Sequence, residues 1–228
     1  MANCVVQFFI QANKFDDPNF NNLGVDNELL KYSLYSAKEY AKQIGADYKL
    51  IEDIRINHRH PTFERFDLFY NDRWWYDYDH ILYLDTDVIV WPSAPDIFDM
   101  YPNNTSFKVC DDRTAKSRTP EWHADNERQT ILKGIEGINL QQYRFNAGVF
   151  MLNRNCVRTM KPYLNFRDVD ADDNQILIKT MFDSKVHVEY MDWRFNKKNG
   201  VDCWFGHAQG QTKFKKDNKV IKKSRLVF

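Results

Sequence analysis

The pattern of apolar and polar positions predicts strands separated by helices. Residues 5–10 form an apolar, strand-like run. From about residue 26 to residue 44, apolar side chains recur at helical spacing, and Gly45 follows as a stop signal. A second strand is predicted at residues 47–51.

The central stretch is an apolar run, Ile81 to Leu84, followed by Asp85, Thr86 and Asp87, after which apolar residues resume. A short continuous apolar run is typical of a strand buried on both faces. The chain is therefore predicted to have an α/β fold with a mostly parallel sheet flanked by helices. Ligands of such sheets bind beyond the carboxyl ends of the strands. Two carboxylates there remain ionised when a cation faces them, so we expect Asp85 and Asp87 to hold a divalent metal.

Further elements follow from shorter patterns. Aromatic residues at helical spacing, from Phe63 to Phe69, predict a helix that leaves Arg65 on another face. Arg65 is then either part of a surface ion pair or a clamp on a negatively charged ligand. The remaining predictions are a short helix at 96–100, strands at 107–110, 149–152 and 186–188, and a helix that opens at 172–175.

Length, charge and cysteine content narrow the class of protein. The 228 residues suit a single domain spanning 1–228, and the balance of 32 basic and 32 acidic residues gives no indication of nucleic-acid binding. The four cysteines contain no Cys-x-x-Cys pair, which fits a reducing cytosol. The sequence shows neither a signal peptide nor a long apolar run, so a cytoplasmic protein is expected.

The last residues, about 214–228, form a basic tail. Such a tail is usually a solvated chain end; the alternative is weak peripheral contact with anionic lipid. Residues 111–143 have no clear pattern, and we expect them to contact an acceptor.

Three other segments carry candidate chemistry. Ala147 and Gly148 are small residues at the start of a strand, where they allow a ligand to approach the backbone. Asp173 is either a helix N-cap or a carboxylate that points into the site. The segment from His207 to Lys213 combines an imidazole that can complete a metal shell, a glycine and a lysine suited to a phosphate.

Together, Asp85-Thr86-Asp87, Phe145-Asn146-Ala147-Gly148-Val149 and His207-x-x-Gly210-x-x-Lys213 resemble the motifs of glycosyltransferase family 8, in the same order. The resemblance implies a GT-A fold, which is Rossmann-like with a mixed, mostly parallel central sheet. It also implies a retaining hexosyltransferase that uses a UDP-sugar and Mn²⁺, with Mg²⁺ as the weaker candidate. The acceptor would be a hydroxyl group of a glycan, glycolipid or glycoprotein.

The resemblance also assigns roles to single residues. The metal ligands would be Asp85, Asp87 and His207. The donor would be bound by Gln11, Asn13, Arg65, Asp85, Thr86, Asp87, Asn146, Ala147, Gly210 and Lys213. The family often has Asp-Gln-Asp where this chain has Asp173, Asn174 and Gln175, so these three are the candidate catalytic residues.

The expected mechanism is same-face attack by the acceptor hydroxyl, with Asp173 and Asn174 orienting the sugar. Either Asn174 or Gln175 would place its amide beside the anomeric carbon. Two alternatives remain open from the sequence. Haloacid-dehalogenase-type phosphatases also place Asp-x-Asp after an apolar strand, and an inactive nucleotide-sugar-binding module would keep the same residues.

Overall fold

The computed structural model describes residues 2–10, 27–58, 60–111, 145–167, 173–198 and 203–208. Within these ranges the chain forms nine strands: β1 (Ala2–Phe8), β2 (Asp47–Ile51), β3 (Tyr78–Leu84), β4 (Val88–Val90), β5 (Phe107–Asp111), β6 (Phe145–Asn153), β7 (Val188–Met191), β8 (Lys197–Lys198) and β9 (Phe205–His207). The same ranges contain six α-helices: α1 (Asn27–Gln43), α2 (Asp67–Tyr70), α3 (Trp74–Asp77), α4 (Ile97–Met100), α5 (Arg154–Met160) and α6 (Asp173–Ser184).

Six of these strands form the central sheet in the order β2-β1-β3-β6-β5-β7. Strand β1 is parallel to β2 and β3, and β5 is parallel to β7. Strand β6 is antiparallel to both of its neighbours, β3 and β5. The sheet is therefore mixed and mostly parallel, which confirms the predicted architecture.

Both faces of the central sheet are covered, as the continuous apolar run at Ile81–Leu84 predicts. Leu82 and Leu84 point to the face that packs against α1, where Ala37 and Ala41 are buried. Ile81 and Tyr83 point to the opposite face. That second layer is larger and aromatic, and it includes Phe63, Phe66, Phe69, Trp74, Phe150, Ile176 and Leu177. Successive residues of β3 thus pack into two different hydrophobic cores, because side chains alternate between the two faces of a strand.

Several element boundaries differ from the predicted ones. The first strand is Ala2–Phe8 rather than 5–10, and the strand predicted at 186–188 is Val188–Met191. The helix predicted from the aromatic spacing is a 3₁₀ turn, Pro61–Phe66, followed by the one-turn helix α2. Helix α5 was not predicted. By contrast, α1 agrees with its apolar spacing and is confirmed.

The main departure is that the apolar residues after Asp87 do not continue the central sheet. They form β4, which belongs to a separate three-stranded sheet ordered β4-β9-β8. The Asp85–Asp87 turn is therefore the connection between two sheets. The prediction of a single domain over 1–228 and of a basic tail at 214–228 stays a prediction, because the tail lies outside the described residues. Among the described residues, none of the helices combines the length and hydropathy needed to span a membrane.

Candidate active site

The turn that contains Asp85 and Asp87 lies at the carboxyl end of β3, and hydrogen bonds to buried polar groups hold its backbone in place. The Asp85 N–H donates to the Gly148 carbonyl at 2.8 Å, and the Gln7 amide donates to the Asp85 carbonyl at 3.1 Å. The Ser33 hydroxyl donates to the Val88 carbonyl at 2.7 Å. Because Gln7 and Ser33 are fully buried, these bonds hold the backbone of the turn in a defined path.

The second sheet brings His207 to this turn. Strand β9 is antiparallel to β4 and pairs His207 with Val88, the residue that follows Asp87. His207 Nε2 lies 3.1 Å from Asp87 Oδ1 and 3.7 Å from Asp85 Oδ2. One ligand atom from each of the three residues lies within 4.8 Å of the other two, which is a spacing that one cation could bridge. The structure thus brings the three predicted metal ligands together.

Charge and burial act in opposite directions on the pKa values of this group. Burial lowers the pKa of His207, but Asp87 and Asp85 raise it by more, so the net shift is upward. Burial raises the pKa of Asp87, but His207, a backbone hydrogen bond and Arg65 together lower it by more, so the net shift is downward. A negatively charged pocket that favours a positive charge at Nε2 is also a pocket that favours a metal cation.

The two carboxylate oxygens of Asp85 have different neighbours. Oδ1 accepts hydrogen bonds from the Tyr83 hydroxyl at 2.5 Å and from Arg65 Nη2 at 2.9 Å. Oδ2 is the oxygen that faces His207. The donors on Oδ1 therefore fix the carboxylate plane and leave Oδ2 directed at the cation position.

Arg65 is a buried internal residue with 3% of its surface exposed, so the prediction of a surface ion pair was wrong. Its guanidinium donates to the carbonyl groups of Thr62 and Ala147 and forms ion pairs with Asp85 and Asp173 at 2.9 and 3.0 Å. Burial lowers the pKa of Arg65, but the neighbouring acidic groups, led by Asp173 and Asp85, together raise it by more. The main observed role of Arg65 is to hold these carboxylates; contact with a donor stays a prediction.

The segment Asn146–Gly148 lies directly beneath the imidazole of His207. A Cβ atom placed on Gly148 would lie 2.0 Å from His207 Cε1. The Asn146 side chain accepts a hydrogen bond from the Gly148 N–H at 2.8 Å. The group that lies against Gly148 in the structure is His207, and the approach of a ligand to the backbone at Ala147 and Gly148 stays a prediction.

The candidate catalytic residues stand at the start of α6, beside this segment. The Asn174 amide accepts from the Ala147 N–H at 3.1 Å and donates to the Phe145 carbonyl at 3.3 Å. Asp173 is paired with Arg65, and Gln175 is buried with 6% exposed. Asn174 thus joins α6 to β6, while the sugar-orienting roles of all three residues stay predictions. Thr86 is partly exposed between the two carboxylates.

Asn196 is a functional candidate that the sequence analysis missed. Its amide oxygen lies 2.8 Å from His207 Nδ1, and its amide nitrogen donates to the Asn146 carbonyl at 3.1 Å. Asn196 belongs to no recognisable motif, and its importance follows only from the pairing of β8 with β9. Gln7 and Tyr83 were missed in the same way, because apolar strand neighbours surround both in the sequence.

Part of the predicted site falls outside the described residues. This applies to the two predicted base and ribose contacts, the glycine and lysine of the motif, and all but the first residue of the predicted acceptor region 111–143: Gln11, Asn13, Gly210, Lys213 and 112–143.

A comparison with known protein families identifies the family of this chain. Residues 13–168 match the family described as glycosyl transferase family 8, which is more than half of the chain. No curated protein sequence gives a significant match.

Solved structures of glycosyltransferases share the fold. A glycosyltransferase involved in glycosylation of the major capsid of PBCV-1 is 12% identical with a TM-score of 0.60, covering 97% of this chain and 100% of that one. The galactosyltransferase LgtC, solved with donor and acceptor sugar analogs, is 17% identical with a TM-score of 0.50, covering 91% and 87%. Mouse xyloside xylosyltransferase 1 is 12% identical with a TM-score of 0.50, covering 93% and 99%. These likenesses confirm the GT-A fold.

The position of the Asp-x-Asp motif in the fold counts against the alternative of a haloacid-dehalogenase-type phosphatase. A phosphatase of that type carries its Asp-x-Asp on the first strand, whereas Asp85 follows β3, the third strand in the described chain.

Proposed function

Because the chain belongs to glycosyl transferase family 8, we propose that this glycosyltransferase moves a hexose from a UDP-sugar to a hydroxyl group of a glycan acceptor, and that it requires Mn²⁺. The acceptor glycan would be free or carried on a lipid or protein. The observation that carries the metal requirement is the convergence of Asp85, Asp87 and His207 at the carboxyl edge of the sheet.

The donor set fits this metal. Two carboxylate oxygens and one imidazole nitrogen form a mixed oxygen and nitrogen shell, which suits Mn²⁺ better than Mg²⁺. When bound, the cation would neutralise the charge that develops on the leaving diphosphate. The chain's own contribution is the preset geometry. Asp85 Oδ2 is aimed by Tyr83 and Arg65, and His207 is held against Gly148.

The remaining donor contacts come from residues that the family resemblance identifies. Lys213 would add a second positive charge at the diphosphate, where one such electrostatic interaction can contribute about 3–4 kcal/mol to the transition state. Gly210 would let the backbone close over the donor. Gln11 and Asn13 would contact the uracil and ribose. The donor sugar would contact Asn146 and Ala147 at the start of β6.

For the chemistry we infer retention by same-face attack. The bond between the anomeric carbon and the phosphate oxygen breaks, the bond to the acceptor oxygen forms, and the acceptor proton passes to the leaving phosphate oxygen. The ion pair between Asp173 and the buried Arg65 supports this path, because a carboxylate neutralised at 3.0 Å is a weak nucleophile. Trapping of a covalent glycosyl adduct on Asp173 would contradict it.

A panel of nucleotide sugars tests the proposed function, with nucleotide release measured with Mn²⁺ and with a chelator. Release from one UDP-sugar, dependent on Mn²⁺ and on an added glycan acceptor, is expected. Asp87→Asn and His207→Gln should each lower the rate by at least about 100-fold, the scale of losing one electrostatic group. The matched controls are Asp99→Asn and His187→Gln, which change exposed residues of the same types outside the candidate site.

A phosphatase assay on the same preparation separates the alternatives. Hydrolysis of phosphate esters without any use of nucleotide sugars would contradict the proposed function. Binding of a UDP-sugar without transfer to any acceptor would favour the inactive binding module.

A further inference from the structure

Asn196 joins three parts of the candidate site that are distant in sequence. It directly precedes β8, its amide nitrogen donates to the Asn146 carbonyl on β6, and its amide oxygen meets His207 Nδ1 on β9. We propose that Asn196 is a positioning residue that fixes both the tautomer and the orientation of the His207 imidazole for metal binding. This inference rests on the proposed function, which supplies the metal.

The orientation of the Asn196 amide follows from its second contact. Only the NH₂ end can donate to the Asn146 carbonyl, so the oxygen end must face His207. An amide oxygen is an acceptor only, and the hydrogen of this pair therefore sits on Nδ1 of His207. Once Nδ1 carries a hydrogen, Nε2 is the nitrogen whose lone pair can bind a cation.

Nε2 also lies where the proposed cation would bind. It faces Asp87 Oδ1 at 3.1 Å and Asp85 Oδ2 at 3.7 Å, which are the atoms of the candidate metal shell. The hydrogen bond from the opposite side of the ring therefore orients the ligand atom toward its partners. Hydrogen bonds of this kind also make a metal-binding imidazole a better ligand.

Backbone pairing keeps Asn196 within reach of the ring. The next two residues, Lys197 and Lys198, pair in parallel with Gly206 and His207. The ring itself is 4% exposed and rests on Gly148, so it has little room to rotate away. Asn196 therefore acts on a ring whose position is already restricted, and it fixes the hydrogen on Nδ1, so that Nε2 is the nitrogen left to bind the cation.

The test compares Mn²⁺ affinity, measured on the whole chain by electron paramagnetic resonance of the free ion with no nucleotide or acceptor present. In Asn196→Ala, which loses both contacts, we expect the Mn²⁺ dissociation constant to rise about 10- to 100-fold. In Asn196→Asp, the carboxylate still accepts from Nδ1 but cannot donate to the Asn146 carbonyl. We expect this variant to bind within about 3-fold of the unchanged chain.

Asn155→Ala is the matched control, since Asn155 is exposed and its side-chain amide donates to the Asn104 carbonyl, away from the candidate metal ligands. Equal Mn²⁺ affinity in the unchanged chain and Asn196→Ala would overturn the inference and leave the proposed function intact. Equal weakening in the Ala and Asp variants would also overturn it, because the contact with Asn146 would then be the one that matters. Absence of Mn²⁺ binding by the unchanged chain would remove the metal-dependent function and this inference together. If circular dichroism shows that Asn196→Ala does not fold, Asn196→Leu, which keeps the size of the side chain and also loses both contacts, replaces it with the same expected and contradicting results.

Discussion

The imidazole of His207 rests on the backbone of Gly148 so closely that no side chain could stand between them. A Cβ atom at Gly148 would lie 2.0 Å from Cε1 and 2.6 Å from Nδ1 of the ring. The two residues belong to different sheets, so this contact sets how the small sheet docks on the large one at the candidate site. The absence of a side chain at residue 148 is therefore a condition for the position of His207.

Gly148→Ala is expected to displace the His207 ring and to weaken Mn²⁺ binding about 10- to 100-fold, as loss of ligand orientation does. The control is Gly45→Ala, whose added Cβ meets nothing within 4 Å but whose φ is +66°. That control should lose about 1–2 kcal/mol of unfolding free energy from its left-handed backbone and keep its Mn²⁺ affinity. Titration with Mn²⁺ and urea unfolding of both variants measure the two effects. Unchanged metal affinity in Gly148→Ala would mean that the ring is not held in this way.

Tyr83→Phe tests whether the hydrogen bond to Oδ1 aims Asp85. The Tyr83 hydroxyl donates to this oxygen of the partly buried Asp85 carboxylate at 2.5 Å. We expect the unfolding free energy to fall by about 1.5–3 kcal/mol, the value of a hydrogen bond to a charged group. We also expect Mn²⁺ affinity to fall about 10-fold, because Arg65 alone then fixes the carboxylate.

Tyr78→Phe provides the comparison for Tyr83→Phe. The Tyr78 hydroxyl also donates to a carboxylate, that of Asp47, at 2.8 Å, but Asp47 is exposed and stands apart from the metal ligands. This variant should lose about 1 kcal/mol or less and keep full metal affinity. Equal metal affinities in the two Phe variants would contradict the role assigned to Tyr83.

Arg65→Met should be strongly destabilising. It leaves the partly buried carboxylates of Asp85 and Asp173 without their shared cation. Removing one partner of a buried ion pair costs about 3–5 kcal/mol. In Lys161→Met, which breaks a largely exposed pair with Asp72, the loss should be roughly 0.2–1 kcal/mol. Urea unfolding of both variants gives the comparison, and a loss at Arg65 no larger than that at Lys161 would contradict the role of this network.

The sequence could predict the features that depend on local pattern. The apolar run before Asp85 predicted a strand buried on both faces, and β3 has that burial because residues 81 and 83 face one core while residues 82 and 84 face the other. The helical spacing of apolar residues such as Ala37 and Ala41 likewise predicted α1, because these residues lie on one face of the helix. Family motifs then connected Asp85, Asp87 and His207, which the structure places within 4.8 Å.

Features that depend on pairing between distant strands could not be predicted. Asn196 matters because β8 pairs with β9, and two-residue and three-residue strands leave almost no periodicity to detect. A glycine within a strand pattern indicates a close approach to the backbone, which the sequence analysis assigned to a ligand; in the structure His207 lies against Gly148. The identity of the approaching group, His207, required the register between β4 and β9.

Asn174→Ala separates a structural role of this amide from direct contact with the sugar. Because both ends of the amide bond to the backbone of β6, at Phe145 and Ala147, we expect the unfolding free energy to fall by about 1–3 kcal/mol. The segment beneath His207 should shift at the same time, so that Mn²⁺ affinity falls together with kcat. Asn103→Ala, which changes an amide in an exposed loop, should alter neither metal affinity nor kcat. A lower kcat in Asn174→Ala with unchanged stability and unchanged Mn²⁺ affinity would instead show that this amide acts on the donor sugar, as its place in the family motif implies.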